Sequence, residues 1–228
     1  MSVRPLPTSG DRAEVVARLR ERVAALECRT TRSAGQTVPS TSGLSSVLPL
    51  EAGHAYGVDS AFLGLALAAG ASRAGEWVGF TGFPDFGAEA AAGLGVALDR
   101  TVLVPEPGEH WLEVTAALVD VLRVVVLRPT VRVDAKQAGV LESRLRRRSA
   151  VLVVHGGWPR LTASVSLERS LWEGPLDGRG HLERRRGTLV VDRRGRPATR
   201  VDVVTTGSEV EVLTPAPAAA TPWRRASG

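Results

Sequence analysis

The sequence predicts an α/β fold: a mostly parallel sheet flanked by helices, with antiparallel strands toward the C-terminus. Three observations predict it. Short continuous apolar runs, Arg123–Leu127 (RVVVL) and Ala150–His155 (AVLVVH), suit strands buried on both faces. From Gly53 to His155, strand-like and helix-like segments alternate, the grammar of a wound sheet. After Trp158 the segments are strand-like and separated by the turn-rich joints GPLDGRG and RRGRPA, which reads as an antiparallel extension. A chain of 228 residues suits one α/β domain with an appendage, and 43% hydrophobic content can fill a sizeable core. Aromatics make up only 4%, so Val, Leu and Ala must supply the core volume.

The elements follow in order. Asp11–Cys28 is an amphipathic helix, with Val15, Val16, Leu19, Val23 and Leu26 recurring near a 3.6-residue period. Residues 1–28 therefore form an N-terminal helical unit that docks on the domain or on a neighbouring protomer. Residues 29–46, rich in Ser, Thr and Gly, read as a linker. The core spans 47–206. It opens with a strand at His54–Tyr56 and a helix over Ser60–Arg73 that is apolar nearly all round. A strand at Trp77–Thr81 and a helix around Phe86–Leu94 come next. Thr101–Pro105 is a strand and Gly108–Leu122 holds a helix. RVVVL is a strand, Asp134–Arg148 a helix and AVLVVH a strand. Leu161–Trp172, His181–Asp192 and Thr199–Thr205 complete the sheet. Residues 207–228, with TPAPAAATPWRR, read as a mobile tail.

Composition excludes several chemistries. The single cysteine, Cys28, rules out an internal disulfide and a cysteine-rich zinc site. The four histidines never fall three or four residues apart, so no local pair of metal ligands exists. The longest low-charge run, Gly53–Ser72, contains Asp59, His54 and several glycines, which makes it a poor membrane span. The N-terminus has no apolar signal region, and a cytoplasmic location is expected. Of 29 basic residues all but Lys136 are arginine, as a GC-rich genome produces. The formal charge of +5 favours acidic partners, nucleic acid first.

Open α/β sheets bind ligands at the carboxyl ends of their strands. GHAYGVDSAFLGLALAAG (53–70) has the strand–turn–helix order of a phosphate-binding loop, with Gly57, Val58, Asp59 and Ser60 at the turn. Such a loop needs a lysine for the β and γ oxygens and a hydroxyl for Mg²⁺. The one lysine lies far downstream, in DAKQAG. Asp59 reads as a helix cap more readily than as a cation ligand. A metal-holding acid after VVVL is replaced by Arg128, whose charge repels Mg²⁺. Ser164 and Ser166 lack a nucleophile elbow. His155, before Gly156–Gly157, reads as structural.

The order of these stretches resembles the RecA ATPase core over Val47–Val204. LPLEAGHAYGVDSAFLGLALAAG is similar to the entry into the RecA phosphate loop, and GLGVALDRTVLVPEP to the segment after its second core helix. VVVLRP resembles the Walker B strand and AVLVVHGG the next one. LTASVSLERS and TRVDVVTT resemble the closing antiparallel strands. Three elements of ATP hydrolysis are absent together. The phosphate-loop lysine and hydroxyl are missing at 57–62, Phe83 stands at the position of the catalytic glutamate, and Arg128 stands at that of the Walker B aspartate. A small, Arg-rich, RecA-like chain of this kind is similar to the ImuA family, especially its shorter actinobacterial branch. That resemblance implies a non-catalytic accessory role in damage-induced translesion synthesis. The implied partners are ImuB, a Y-family polymerase relative, and, indirectly, a C-family error-prone polymerase. It implies no catalytic residue, no cofactor and no metal. RecA-like chains also associate through such an N-terminal helix. Two alternatives stand: a SulA-like division inhibitor that binds FtsZ, and an enzyme with an unconventional nucleotide site at Gly57–Ser60.

Arginines mark the candidate contact surfaces. Arg144, Arg146, Arg147 and Arg148 crowd a helix C-terminus, where they complement the helix dipole or contact DNA phosphates. Arg184, Arg185, Arg186, Arg193 and Arg194 lie in a hairpin-like stretch, either guarding an edge strand or facing nucleic acid or a polymerase. Few aromatics interleave with them in sequence, so base stacking is not expected. In the tail, Trp223, Arg224 and Arg225 are candidate partner anchors.

Overall fold

The computed structural model describes residues 36–173 and 184–213. The helix predicted over Asp11–Cys28 and the tail residues Trp223, Arg224 and Arg225 lie outside the described residues. Within them the predicted class holds: a large, mostly parallel sheet flanked by helices, continued by antiparallel strands.

The strands are β1 (Thr37–Val38), β2 (Leu50–Glu51), β3 (Ala55–Val58), β4 (Val78–Thr81), β5 (Thr101–Val104) and β6 (Val124–Leu127). They continue with β7 (Val151–His155), β8 (Ala163–Glu173), β9 (Arg184–Arg193), β10 (Thr199–Thr206) and β11 (Glu209–Leu213). The helices are α1 (Ser42–Val47), α2 (Ala61–Arg73), α3 (Ala88–Gly93), α4 (Trp111–Val121) and α5 (Ala135–Arg148). The main sheet runs β11-β10-β9-β8-β3-β7-β6-β4-β5, and β1 pairs with β2 as a separate antiparallel ladder. From β8 through β5 every neighbouring pair is parallel, whereas β8-β9, β9-β10 and β10-β11 are antiparallel.

Alternation along the central strands builds two cores. Val124, Val126, Val151 and Val153 pack with α2, while Val125, Leu127, Leu152 and Val154 pack with α4 and α5. Both faces of β6 and β7 are thereby buried, which is why they read as unbroken apolar runs. In α2 every residue from Leu63 to Ser72 is buried. Its apolar character all round follows from contact with the sheet on one side and α1 and Ser40–Thr41 on the other. At the start of α5, Asp134 accepts from the Gln137 amide at 2.7 Å, and the Gln137 side chain accepts from the Asp134 amide at 3.1 Å. This reciprocal cap fixes the helix start where the sequence places it.

Two stretches differ from expectation. The linker read over 29–46 is structured from Gln36 onward: β1 and α1 bury Val38, Thr41 and Leu44. The segment SGLSSV is too short and polar to announce itself, and tertiary burial makes it helical. The tail read from 207 is also ordered at first, because β11 pairs with β10 from Glu209 to Leu213.

Candidate functional site

The carboxyl ends of the parallel strands lie side by side: Val58 of β3, His155 of β7, Leu127 of β6 and Thr81 of β4. Here a wound sheet would hold its ligand. Gly57 and Val58, read from sequence as part of a phosphate-binding turn, are instead buried strand residues. Only Asp59 and Ser60 connect β3 to α2. A phosphate loop wraps its ligand with a longer Gly-rich connection, so this two-residue turn has neither the lysine and hydroxyl nor the loop of such a site. Gly57 is required for another reason. A Cβ there would lie 2.6 Å from Leu161 Cδ1 and 3.1 Å from Ser164 Cβ, so β8 and its approach have taken the space beside β3.

The protein's own groups fill the turn. The Asp59 carboxylate accepts the Leu167 amide of β8 at 3.0 Å. This corrects the expectation that Asp59 caps α2: Ser60 occupies the cap position and makes no side-chain cap hydrogen bond. Asp59 instead ties the helix entrance to a strand 108 positions away. His155 Nε2 lies 3.1 Å from the Asp59 carbonyl oxygen. Nε2–H must donate in that contact, and Nδ1 is buried without a hydrogen-bond partner. Phe83, in place of the expected acid, is buried. It stacks on the His155 ring with centroids 6.2 Å apart and planes 12° apart, and meets Phe80 edge-on. Arg128 pairs with Asp85 at 3.0 Å, and its amide donates to Thr81 O at 2.9 Å. Asp59, Phe83 and Arg128 thus contact the protein's own side chains and strands. Among the described residues no cluster of three or more His, Cys, Asp or Glu could hold a metal ion. A cleft of about 680 Å³ lies beside this edge, between the β6–α5 loop (Pro129, Val131, Asp134) and the β7–β8 loop (Gly156, Trp158, Pro159).

Asp59→Ala removes the charged acceptor of the Leu167 amide. Unfolding in urea should show a loss of about 1–2 kcal/mol. A nucleotide enzyme built on Asp59 would instead lose turnover.

The arginines separate into two groups. Arg144, Arg146, Arg147 and Arg148 end α5, which leads into the start of β7, so they lie at the amino edge of the sheet. Two of them are already engaged. Arg144 donates to Asp120 of α4 at 2.5 Å and Arg148 to the same carboxylate at 3.2 Å. Arg146 and Arg147 are exposed. Arg193 donates to the Val47 carbonyl, so it anchors α1 to β9, and the exposed Arg194 follows in the turn. Arg184, Arg185 and Arg186 open β9 at the opposite edge, beyond the carboxyl ends. Burial pulls the Arg185 guanidinium below its ordinary value while the Asp59 carboxylate opposes that shift. The guanidinium stays charged at neutral pH. It lies 4.7 Å from the Phe62 ring centroid and 5.2 Å from that of Trp172. Few aromatics interleave with these arginines along the sequence. They do so in space, because the first turn of α2 and the end of β8 both reach Arg185. The sequence signal was Trp172, the residue before Glu173 and the GPLDGRG joint, which the register places opposite Arg185.

No helix among the described residues is long and apolar enough to cross a membrane. The chain matches the model of the MT3502 N-terminal domain over residues 44–160, from α1 to the approach to β8. It is also 32% identical over 196 residues to the uncharacterized protein Rv3395c of Mycobacterium tuberculosis (strain ATCC 25618 / H37Rv), a match that covers 81% of this chain and 93% of the relative. With half of the chain inside the family model and nearly the whole of a relative aligned, this chain belongs to the MT3502 N-terminal domain family.

Proposed function

We propose that the chain is a non-catalytic accessory protein of error-prone translesion DNA synthesis. It would act through contacts with an ImuB-like polymerase relative, and through it with a C-family error-prone polymerase. The observation that carries this reading is the filled strand–helix junction. Asp59 spends its carboxylate on Leu167, His155 is held against the Asp59 carbonyl under Phe83, and Arg128 is neutralised by Asp85. A RecA-like chain whose nucleotide position has been rebuilt as packing acts as a scaffold. The stretches that resemble RecA in sequence support the reading, because they fall on strands β3, β5, β6, β7, β8 and β10 of one sheet, and four of these, β6, β7, β3 and β8, are adjacent.

The test is direct. The chain, co-expressed with an ImuB-like protein, is expected to co-purify with it through gel filtration. Calorimetry with Mg-ATP is expected to give no binding heat. Tight Mg-ATP binding would reject the reading, and so would a pair that elutes as separate proteins.

A further inference from the structure

A hollow of about 130 Å³ opens at the amino edge of the sheet, the end opposite to the Asp59 turn. Three segments line it: the entry to β3 (Gly53, His54), the middle of α5 (Glu142, Arg146) and the approach to β8 (Arg160, Thr162). Backbone hydrogen bonds hold this frame. The Gly53 amide donates to Ala150 O at 2.8 Å, the Leu152 amide to His54 O at 3.1 Å and the Thr162 amide to Ala55 O at 2.9 Å.

The charged groups around the hollow do not neutralise one another. Among the described residues, Arg146 and Arg160 take part in no hydrogen bond or ion pair, and both are exposed. Arg144 and Arg148 of the same helix, by contrast, both meet Asp120. Glu142 and Arg146 stand one helical turn apart, the spacing at which such a pair commonly closes, yet they stay apart. Glu142 Oε1 is buried and has no hydrogen-bond partner. The Thr162 hydroxyl shares a 3.0 Å hydrogen bond with His54 Nδ1, which orients it.

We propose that this hollow binds inorganic phosphate as a hydrogen phosphate ion. Arg146 and Arg160 donate to its charged oxygens, and a P–OH of the ion donates to Glu142 Oε1. The combination of groups selects this occupant. Two guanidinium groups with uncommitted N–H donors require an oxyanion. A carboxylate only accepts, so it requires a proton on that same ion. Inorganic phosphate at neutral pH keeps at least one P–OH. Sulfate and the phosphodiester of a nucleic-acid backbone carry none. A phosphomonoester, with a second pKa of about 6, has lost most of its own. Each of these would press an unprotonated oxygen against the carboxylate. The inference stands apart from the accessory-protein reading, because it concerns the amino edge and not the strand–helix junction at Asp59.

Calorimetric titration of the full chain at neutral pH with sodium phosphate, sodium sulfate and glycerol phosphate tests it. The background is about 0.15 M NaCl, where long-range attraction is screened. Phosphate should bind at least about 10-fold more tightly than sulfate, the contribution of one hydrogen bond to a charged group. Glycerol phosphate, a monoester, should also bind more weakly than phosphate. Glu142→Gln offers an amide N–H beside its acceptor oxygen, so the preference for phosphate over sulfate should disappear. Arg146→Ala and Arg160→Ala should each weaken phosphate binding about 10-fold or more. Arg147→Ala is the control: that exposed residue does not line the hollow, and its loss should change the affinity by no more than about 2-fold. Circular dichroism checks that each variant is folded. The proposal is overturned if phosphate gives no binding heat, which leaves Glu142 Oε1 to water. It is overturned if sulfate or glycerol phosphate binds as tightly as phosphate, or if folded Glu142→Gln keeps the preference. Arg147→Ala as damaging as Arg146→Ala would also overturn it, by assigning the anion to diffuse basic charge.

Discussion

Leu152→Ala should remove about 3–5 kcal/mol of folding free energy, the largest effect expected from a single side chain here. Leu152 is fully buried in β7, between Ala55 of β3 and Val125 of β6 in the register. Its side chain belongs to the core shared with α4 and α5. Truncation loses the transfer free energy of the removed carbons and adds the cost of a cavity. The neighbouring strands, hydrogen-bonded on both sides, have little freedom to collapse into that cavity. Domains of this size are stable by only about 5–15 kcal/mol, so the loss would be visible as a much lower denaturation midpoint in urea with an unchanged slope. Val121→Ala is the control: that side chain is 74% exposed at the end of α4 and should shift stability by no more than about 0.5 kcal/mol. Equal effects of the two substitutions would mean that the β7 core is not packed as described.

Gly82→Ala is the second large effect, at roughly 3 kcal/mol, the sum of left-handed strain and overpacking. Gly82 follows β4 at φ 82°, and a Cβ there would fall 2.1 Å from the carbonyl oxygen of Arg128. That obstacle is backbone, which cannot rotate aside. The Gly82 amide donates to Val104 O, and the Arg128 amide donates to Thr81 O. Relief of the clash must therefore part the ends of β4 and β6 and break one of these bonds. Hydrogen exchange should show the Arg128 amide losing protection before the strand centres do. Parent-like stability together with parent-like protection at Arg128 would contradict the close approach.

Much of this fold was legible. Runs such as VVVL and VLVV can be little else than strands covered on both faces, and the helix between them starts at the Asp134–Gln137 cap. α1 and β11 were not legible as structure. The first depends on burying Leu44 against the domain, and the second was masked by the Pro- and Ala-rich stretch that follows it. The candidate site was legible as an absence. The missing lysine, acid and hydroxyl can be read along the chain, but their replacements cannot. Asp59 meets Leu167, Phe83 meets His155, and Phe62 shares Arg185 with Trp172. The pairs Asp59–Leu167, Phe83–His155 and Phe62–Arg185 each join residues more than 70 positions apart, and no local pattern encodes them.

The position of β3 has a consequence for how the chain is made. The strand is complete at residue 58, but both of its neighbours, β7 and β8, begin after residue 150. A nascent chain emerging from the ribosome can pair β4 with β5 and β6 early, while β3 waits for nearly a hundred residues of further synthesis. During that interval α2 has no complete sheet to cover it, and its Leu- and Ala-rich surface stands open to mispairing. A chain released before β7 would carry an orphaned central strand, and its fate would be capture by a chaperone or aggregation.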